Sequence, residues 1–484
     1  MESDLNGSYG DLGRRGRVRA PALPPRPEAW INHPPVDLRQ LRGRPVLLDF
    51  WTGGCINCVH VAREIEALQA RCPALQVIGI HTPKFEREAH PAQVRAAIDR
   101  LGLTHPVYND AEGYLRDQYT IRAWPTLVLL DGQGRIVRQV AGEGQAEALA
   151  ALIDALLHGQ SLPPAEWEVA PAPARFWRAP QKLTADPAGG WFVADSGHHR
   201  LLAFSQEGEL IAQAGDGLAG LTDGPAAEAR LHQPMGLAYH AAQQRLYFAD
   251  SGNHALRCWD LRTQRVHTLA GDGQQGRGYR PGWQGLQARL NAPWDLAWHQ
   301  DWLYLACAGS HQLWRYRPTD GQLETVLGTG EENLVDGPPQ QALLGQPMAL
   351  ASDGQHLYWL DAEGSALRRW DGQRAETLVG TGLFAFGSAD GPYPEAQMQH
   401  PQGLACHAGQ LWIADTYNGA LRRYDPAQQE LHTVATGFTE PVDLAWVGER
   451  LWVLDGQVWE KRGENWKVAG LFTCEEDRCV MIGA

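Results

Sequence analysis

A motif that repeats through the second half of the chain most constrains its fold. A short run of aromatic and aliphatic residues ends in aspartate and recurs at steps of 55, 57, 54, 54 and 40 residues, with a cysteine in the third copy. A proline lies 14 to 16 residues before each of these positions. Self-similarity at a period near 50 residues is typical of solenoids and propellers. The positions are Asp195, Asp250, Cys307, Asp361, Asp415 and Asp455.

Each repeat contains four short strand-like segments separated by turn residues. In the second repeat these segments run near 236–240, 245–250, 255–259 and 265–270. A single four-stranded sheet cannot bury both faces, whereas sheets stacked around an axis cover each other. The six repeats over residues 179–472 therefore predict a six-bladed β-propeller.

Inserts between the repeats carry Gly-Asp-Gly and Asp-Gly-Pro and should cluster on one face of the propeller. Loops on a rigid scaffold are common binding sites, although these residues also form ordinary tight turns. The recurring aspartate is predicted to bond backbone N–H groups at a turn. The histidines show no consistent metal-ligand spacing, and no metal site is predicted: His198, His199, His254, His311 and His400. Three further cysteines are predicted to be ordinary buried residues: Cys258, Cys307 and Cys406.

The first half of the chain contains Cys55-Ile-Asn-Cys58 between a strand-like run, 45–51, and a helical pattern. This placement puts the first sulfur at a helix N-terminus, where unpaired N–H groups and the helix dipole favour a thiolate. A thiolate is the nucleophile of thiol–disulfide exchange, and a second cysteine two residues on can resolve the mixed disulfide. The motif therefore predicts redox chemistry.

Neighbouring residues support this prediction. Asp49 lies six residues before Cys55 on the same strand-like run, and we expect it beneath the second sulfur, where it can relay a proton. Trp124-Pro125 precedes another apolar run, and an X-Pro bond entering a strand can be cis. We expect Pro125 to lie against the disulfide, and Trp51 and Trp124 to wall the substrate groove.

These motifs resemble the thioredoxin-like fold over roughly residues 28 to 158, and most closely its TlpA/DipZ-type branch. The repeats resemble NHL repeats, and the combined order resembles the thioredoxin–NHL-repeat protein family. The fold class implied is a multidomain protein with an α/β thioredoxin-like domain followed by an all-β, six-bladed NHL-type β-propeller. Larger members of that family carry a further β domain, and nothing belonging to it is transferred to this chain.

The resemblance implies a thiol–disulfide oxidoreductase. Cys55 would attack, Cys58 would resolve, Asp49 would assist proton transfer, and Pro125 would shape the groove. The substrate would be a protein disulfide or dithiol, and an external thiol reductant would supply electrons, so no bound cofactor is expected. The propeller would bind or position a protein partner on its loop face.

Other interpretations remain open. The protein can instead be an interaction scaffold whose thioredoxin-like domain is redox-silent or a redox sensor. The Cys-x-x-Cys pair can be half of a zinc site, with Cys474 and Cys479 as the other close pair. A peroxiredoxin is disfavoured, because Leu48 occupies the position where that family's motif requires proline.

The predicted domain limits are a mobile tail at 1–27, the thioredoxin-like domain at 28–160, a proline-rich linker at 161–178, the propeller at 179–472 and a polar C-terminal tail at 473–484. Cys474 and Cys479 of that tail are possible secondary thiols. They can exchange with the Cys55–Cys58 pair, pair with each other, or stay idle.

The net charge of −14 argues against nucleic acid or an anionic membrane as the main partner, since both require a positive surface. No apolar run approaches membrane-spanning length, and the N-terminus lacks a signal-peptide pattern. Eight cysteines are too few for a disulfide scaffold. A cytoplasmic location is predicted from these features.

Overall fold

A computed structural model describes residues 18–159, 162–169, 176–276 and 285–456, and the backbone of 461–462, 465–466, 471–475 and 478–481. The chain forms two compact units: residues 1–98 and 103–172 belong to the first, and residues 99–102 and 173–484 belong to the second. Among the described residues, no helix has both the length and the apolar character that a membrane crossing requires.

The first unit is built on a five-stranded sheet with the order β3-β2-β1-β4-β5. Strands β1, β2 and β3 are parallel, whereas β4 runs antiparallel to both β1 and β5. This is the α/β arrangement predicted for the first domain. The elements are β1 (Val46–Trp51), α1 (Ile56–Arg71), β2 (Gln76–His81), α2 (Pro91–Leu101), β3 (Val107–Asn109), α3 (Tyr114–Gln118), β4 (Thr126–Leu130), β5 (Ile136–Ala141) and α4 (Ala146–Leu157).

Strand β1 lies at the centre of this sheet, and its side chains alternate between two cores. Phe50 packs on one face in a cluster that includes Leu23. Leu47 packs on the other face, in a cluster with Val61 of α1. Asp49 has the same parity along the strand as Leu47, so its carboxylate lies on the face that α1 covers.

The N-terminal prediction needs a correction, because part of the predicted mobile tail belongs to the first unit. Leu23 is 6% exposed in the core. The Tyr119 hydroxyl donates to the carbonyl of Pro21 at 2.8 Å, and the Trp30 indole N–H donates to that of Pro24 at 3.2 Å. This proline-rich segment has no helical or strand periodicity, so the sequence pattern carried no sign of its burial. Residues 1–17 lie outside the described part.

The predicted linker, 161–178, is described at 162–169 and 176–178, and these residues form neither helix nor strand. Residues 162–169 attach to the first unit. The backbone N–H of Ala165 donates to the carbonyl of Pro73, and Trp167 packs beside the core that contains Phe50. Trp177 is buried within the second unit.

The second unit is a β-propeller whose blades are antiparallel sheets. Five blades with four main strands lie entirely in the described residues, and two of them gain a two-residue outer strand. The strands are β6 (Pro180–Ala185), β7 (Trp191–Asp195), β8 (Arg200–Phe204), β9 (Leu210–Ala214), β10 (Gly224–Pro225), β11 (Pro234–His240), β12 (Arg245–Asp250), β13 (Ala255–Asp260), β14 (Arg265–Ala270), β15 (Pro293–His299), β16 (Trp302–Cys307), β17 (Gln312–Arg317), β18 (Gln322–Leu327), β19 (Pro347–Ser352), β20 (Leu357–Asp361), β21 (Ala366–Trp370), β22 (Ala375–Val379), β23 (Gly391–Pro392), β24 (Gly403–His407), β25 (Gln410–Asp415), β26 (Ala420–Asp425) and β27 (Glu430–Thr436).

The last sheet has the order β28-β29-β32-β33, with a separate pair β30-β31. Its outer strands come from a stretch that the structure describes only in part, so the count of six blades stays a prediction. Strand β33 lies within the predicted C-terminal tail and strand β32 overlaps its start, which corrects that prediction. Both strands are short and lie near polar residues, so the sequence pattern did not reveal them. The strands are β28 (Pro441–Val447), β29 (Arg450–Asp455), β30 (Lys461–Arg462), β31 (Asn465–Trp466), β32 (Leu471–Glu475) and β33 (Arg478–Met481).

The recurring aspartates bond backbone N–H groups, although the partners lie before the blade and not in the turn that follows. Asp250 accepts a hydrogen bond from the backbone N–H of His232 at 2.7 Å, in the loop that leads into β11. The hydrogen bond thereby connects the end of a blade's second strand to the loop that leads into its first strand. Three further pairs share this bond: Asp195–Arg178, Asp415–Gln399 and Asp455–Glu440.

A buried arginine seven residues after the aspartate completes this structure, and the sequence analysis missed it. Arg257 is fully buried, and its guanidinium donates to Asp250 and to Asp223, both at 2.8 Å. Asp223 belongs to an Asp-Gly-Pro insert, so that aspartate has a structural role. The same arrangement recurs in two more blades: Arg368 with Asp361 and Asp336, and Arg422 with Asp415 and Asp390.

We expect Arg257→Ala to destabilise the propeller by about 3–5 kcal/mol, because it leaves Asp250 buried without its counter-charge. Chemical denaturation followed by circular dichroism measures this loss. Arg262→Ala is the matched control, since Arg262 is exposed in the same blade. Equal stability of the two variants would contradict a structural role for the buried pair.

Candidate active site

The two cysteines of the Cys-x-x-Cys motif lie where β1 ends and α1 begins. Cys55 is the N-cap residue of α1 and is partly exposed, whereas Cys58, in the first turn, is 3% exposed. The backbone N–H of Cys58 donates to the carbonyl of Cys55 at 3.1 Å, which begins the helix. The motif therefore joins a strand to a helix, as its sequence pattern predicts.

Both thiols are free, and their surroundings differ. Burial raises the pKa of the Cys58 thiol well above its ordinary value, and a hydrogen bond with Cys55 raises it further. The sulfur of Cys55 is therefore the one that a second molecule can reach. The sulfur of Cys58 keeps its proton until a base removes it.

Asp49 is the carboxylate that interacts with Cys58. It is 3% exposed, and burial raises its pKa to about 7. Its negative charge is one of the causes that raise the pKa of Cys58, which places the two groups near each other. Within the described residues, its Oδ1 has no hydrogen-bond partner. A buried carboxyl whose pKa lies near neutrality can hold or release a proton under physiological conditions.

Pro125 and Trp124 lie next to the reactive sulfur. The Trp124–Pro125 peptide bond is cis, and the Cys55 sulfur is 3.9 Å from the carbonyl oxygen of Trp124. Pro125 is buried, and its carbonyl accepts a hydrogen bond from the backbone N–H of Gly142 at 2.9 Å. Trp124 is partly exposed, so it is available to a substrate.

Trp51 is placed differently from the prediction that it walls the groove. It is 1% exposed, and its ring meets the edge of His81 with 4.9 Å between ring centroids. It has the same parity along β1 as Leu47 and Asp49, and both faces of this strand are buried. Its role is therefore packing beneath the site.

Glu88 is a buried carboxylate in this region that the sequence pattern did not predict. It accepts hydrogen bonds from the hydroxyl of Thr52 at 2.7 Å and from the backbone N–H of Gly54 at 2.9 Å. Burial lowers the pKa of the neighbouring His81. Only the tertiary fold brings these groups together, because 36 residues separate Thr52 and Glu88 in the chain.

A second pair near the site joins His60 of α1 to Glu143. Their side chains lie 2.6 Å apart, and that of His60 is 3% exposed. Glu143 follows Gly142, which is bonded to Pro125. The pair therefore links the helix that begins after Cys55 to the loop beside the cis proline.

Cys474 and Cys479, the possible secondary thiols, face each other in the backbone register of β32 and β33. Their side chains lie outside the described part. The exchange predicted between these thiols and the Cys55–Cys58 pair stays a prediction.

Three of the five propeller histidines named above accept hydrogen bonds from backbone N–H groups, whereas His198 pairs with the carboxylate of Asp195 at 2.9 Å. His199 and His254 accept hydrogen bonds from the N–H groups of Gln233 and Ala292. Within the part of the chain that the structure describes, no group of histidine, cysteine or acidic residues has a geometry that suits a metal ion.

The innermost strands of the propeller carry a buried ammonium group. Lys182 is 2% exposed, and its Nζ lies 3.2 Å from Asp295 and 3.5 Å from Asp443. Cys258 and Cys307 are buried, as predicted, whereas Cys406 is partly exposed. Burial raises the pKa of the thiols of Cys258 and Cys406 to about 11.

Comparison with known proteins agrees with both units. A family described as a thioredoxin-like domain matches residues 37–157, which include both cysteines of the motif. The chain is 36% identical to Protein SUPPRESSOR OF QUENCHING 1, chloroplastic, of Arabidopsis thaliana, over 84% of this chain and 41% of that protein. It is 33% identical to NHL repeat-containing protein 2 of Homo sapiens, over 87% of this chain and 65% of that protein. Over most of its length the chain is similar to the thioredoxin–NHL-repeat proteins.

The chain spans less than two thirds of the length of those two relatives. A stretch of 114 residues is 26% identical to Thiol-disulfide oxidoreductase ResA of Bacillus anthracis, over 24% of this chain and 64% of that protein. The predicted cytoplasmic location stays a prediction.

Proposed function

We propose that the thioredoxin-like domain exchanges thiols and disulfides with a protein substrate. The observation that carries this proposal is the pairing of a partly exposed Cys55 with a buried Cys58 at the start of α1. Asp49, whose charge acts on Cys58, provides a proton acceptor with a pKa of about 7. The partial similarity to a thiol–disulfide oxidoreductase supports the same chemistry.

In the first step the Cys55 thiolate attacks one sulfur of a substrate disulfide. A sulfur–sulfur bond forms between Cys55 and the substrate, the substrate disulfide breaks, and its other sulfur leaves as a thiolate that takes up a proton. Trp124 and Pro125 adjoin the Cys55 sulfur, so they are the residues that a bound substrate chain would meet first.

In the second step Cys58 resolves the mixed disulfide. Its proton passes to Asp49, and the resulting thiolate attacks the sulfur of Cys55. The second substrate thiol is released, and a Cys55–Cys58 disulfide remains. An external dithiol then returns two electrons; with a dithiol substrate the same steps run in reverse.

Equilibration against graded dithiol/disulfide buffers tests the proposal. After thiols are trapped by alkylation, mass spectrometry should show a reversible two-electron transition at Cys55 and Cys58. A midpoint near −270 mV would indicate a reductant, and one near −120 mV an oxidant, which are approximate reference potentials. No reversible disulfide at this pair would refute the proposal.

A second candidate function is an interaction scaffold, favoured by exposed apolar side chains on the inserts between blades. These inserts all connect the last strand of one blade to the first strand of the next, so they lie on one face. Four such residues are between 53% and 76% exposed: Leu218, Leu286, Phe384 and Tyr393. Protein-binding surfaces carry contiguous exposed apolar patches, and these side chains would contribute to one if the inserts lie side by side. Replacing Cys55 and Cys58 together with serine separates the two functions, because a scaffold keeps its partner whereas an exchange enzyme loses turnover.

A further inference from the structure

The carboxylate of Glu88 is bonded to the loop that precedes the reactive cysteine. Glu88 lies in a short turn, Glu86–Ala89, after β2, and it is 3% exposed. Its Oε1 accepts the backbone N–H of Gly54, and its Oε2 accepts the hydroxyl of Thr52. One side chain thus holds both ends of the Thr52–Gly54 loop, directly before Cys55.

The turn that carries Glu88 is itself fixed. The Oε2 atom of Glu88 also accepts hydrogen bonds from the backbone N–H groups of Lys84 at 2.8 Å and Phe85 at 3.1 Å. The side-chain amide of Asn109, at the end of β3, donates to the carbonyl of Ala89 at 2.7 Å. The carboxylate therefore has one orientation and is anchored to the sheet.

Glu88 is ionised in this setting. Burial raises its pKa, but the charge of His81 and the hydrogen bonds from both segments outweigh burial and lower the pKa overall. A buried anion is costly unless it is fully hydrogen-bonded. The donors around Glu88 meet that requirement, and two of them belong to the loop before Cys55.

The loop needs an external anchor because of its own sequence. Glycine has greater backbone freedom than any other residue type, and this loop contains two glycines, Gly53 and Gly54. Cys55 follows them as the N-cap, so the direction of its sulfur depends on where Gly54 is held.

We propose that Glu88 is a positioning residue that fixes the backbone before Cys55 and so sets the reactivity of its thiol. This inference rests on the proposed thiol–disulfide exchange. Glu88 does not meet the substrate; it acts through the hydrogen bond to Gly54.

Glu88→Gln tests the proposal most directly. A glutamine oxygen can keep the bonds to Thr52 and the turn, but its NH₂ group would then face the N–H of Gly54, where two donors repel. In a Cys58→Ser background, we expect alkylation of Cys55 by iodoacetamide to slow about tenfold. This is less than the ~10²-fold loss of rate that a 1 Å misplacement of a catalytic group can cause. Hydrogen exchange at the Gly54 amide should accelerate in the same variant.

Glu88→Asp distinguishes the effect of side-chain position from the effect of charge. It also tests the proposal if the glutamine variant fails to fold. It keeps the negative charge, but its shorter side chain cannot reach both segments, so we expect a similar slowing. Glu86→Gln is the matched control, because Glu86 is exposed in the same turn. Unchanged alkylation in a folded Glu88→Gln or Glu88→Asp variant would overturn the inference.

This outcome is distinguishable from failure of the proposed function. The alkylation rate needs no disulfide chemistry, whereas the proposed function fails when the unaltered protein shows no Cys55–Cys58 transition. A normal transition with unchanged alkylation in the Glu88 variants would refute only the positioning role.

Discussion

Cys55→Ser is expected to abolish disulfide reduction, with a loss of at least about a thousandfold, as is usual when a catalytic nucleophile is removed. Among the thiols whose side chains the structure describes, only Cys58 lies beside Cys55, and it cannot replace it. Cys58 is buried and its pKa is raised, so little thiolate forms there and a substrate disulfide cannot reach it. Turnover of a disulfide-linked peptide in the presence of an external dithiol measures the loss.

Cys58→Ser should give a different defect, because it leaves the first step intact. Cys55 still attacks, but nothing resolves the mixed disulfide, so the enzyme accumulates covalently bound to its substrate. Mass spectrometry of the intact protein should detect this adduct at Cys55. The two variants together therefore distinguish the attacking sulfur from the resolving one.

Cys72→Ser is the matched control for both cysteine variants. Cys72 caps the far end of α1, is 4% exposed, and lies 3.8 Å from Asp154. A serine hydroxyl can keep that contact, so turnover should remain normal. If Cys55→Ser retained turnover, the proposed assignment of the nucleophile would be wrong.

Local sequence patterns predicted most of the fold. In the second repeat the predicted strand 245–250 coincides with β12, and the segment predicted at 236–240 lies within β11. Short hairpin strands are bounded by their own turn residues, so their limits can be read from the chain. The Cys-x-x-Cys motif was likewise local, since a strand and a helix flank it directly.

Features that depend on tertiary contacts were not predicted. Glu88 reaches Thr52 across 36 residues, and nothing in its own neighbourhood marks it as buried. Leu23 enters the core from a proline-rich segment without periodicity. Arg257 is different, because alignment of the repeats would have shown an arginine seven residues after the aspartate in three blades.

Asp49→Asn is expected to stabilise the first unit at pH 8 by about 1–3 kcal/mol. The pKa of Asp49 is about 7 in the folded protein, against 3.8 for the unfolded chain. Once the carboxyl is ionised in both states, this difference lowers the free energy of unfolding by about 4 kcal/mol, at about 1.36 kcal/mol per pKa unit. An asparagine has no charge to bury, although its unpaired amide costs about 1–3 kcal/mol.

The pH dependence gives this prediction a definite sign. Because folding raises the pKa of Asp49, the protonated carboxyl favours the folded state below about pH 4. That stability is lost progressively as the pH rises toward 7. The advantage of Asp49→Asn should therefore grow between pH 4 and 7 and level off above. Amide hydrogen exchange in β1, measured at pH 5 and pH 8, follows the first unit alone.

The same substitution should slow catalysis, because asparagine cannot accept the proton of Cys58. Loss of a general base typically costs about 10²–10⁴-fold, so the mixed disulfide with Cys55 should accumulate during turnover. Asp117→Asn, at an exposed position of α3, should change neither stability nor turnover. A variant that is more stable yet resolves the intermediate slowly would show that Asp49 is retained for proton transfer at a cost in stability. Unchanged stability at pH 8 would instead mean that Asp49 does not titrate near neutrality.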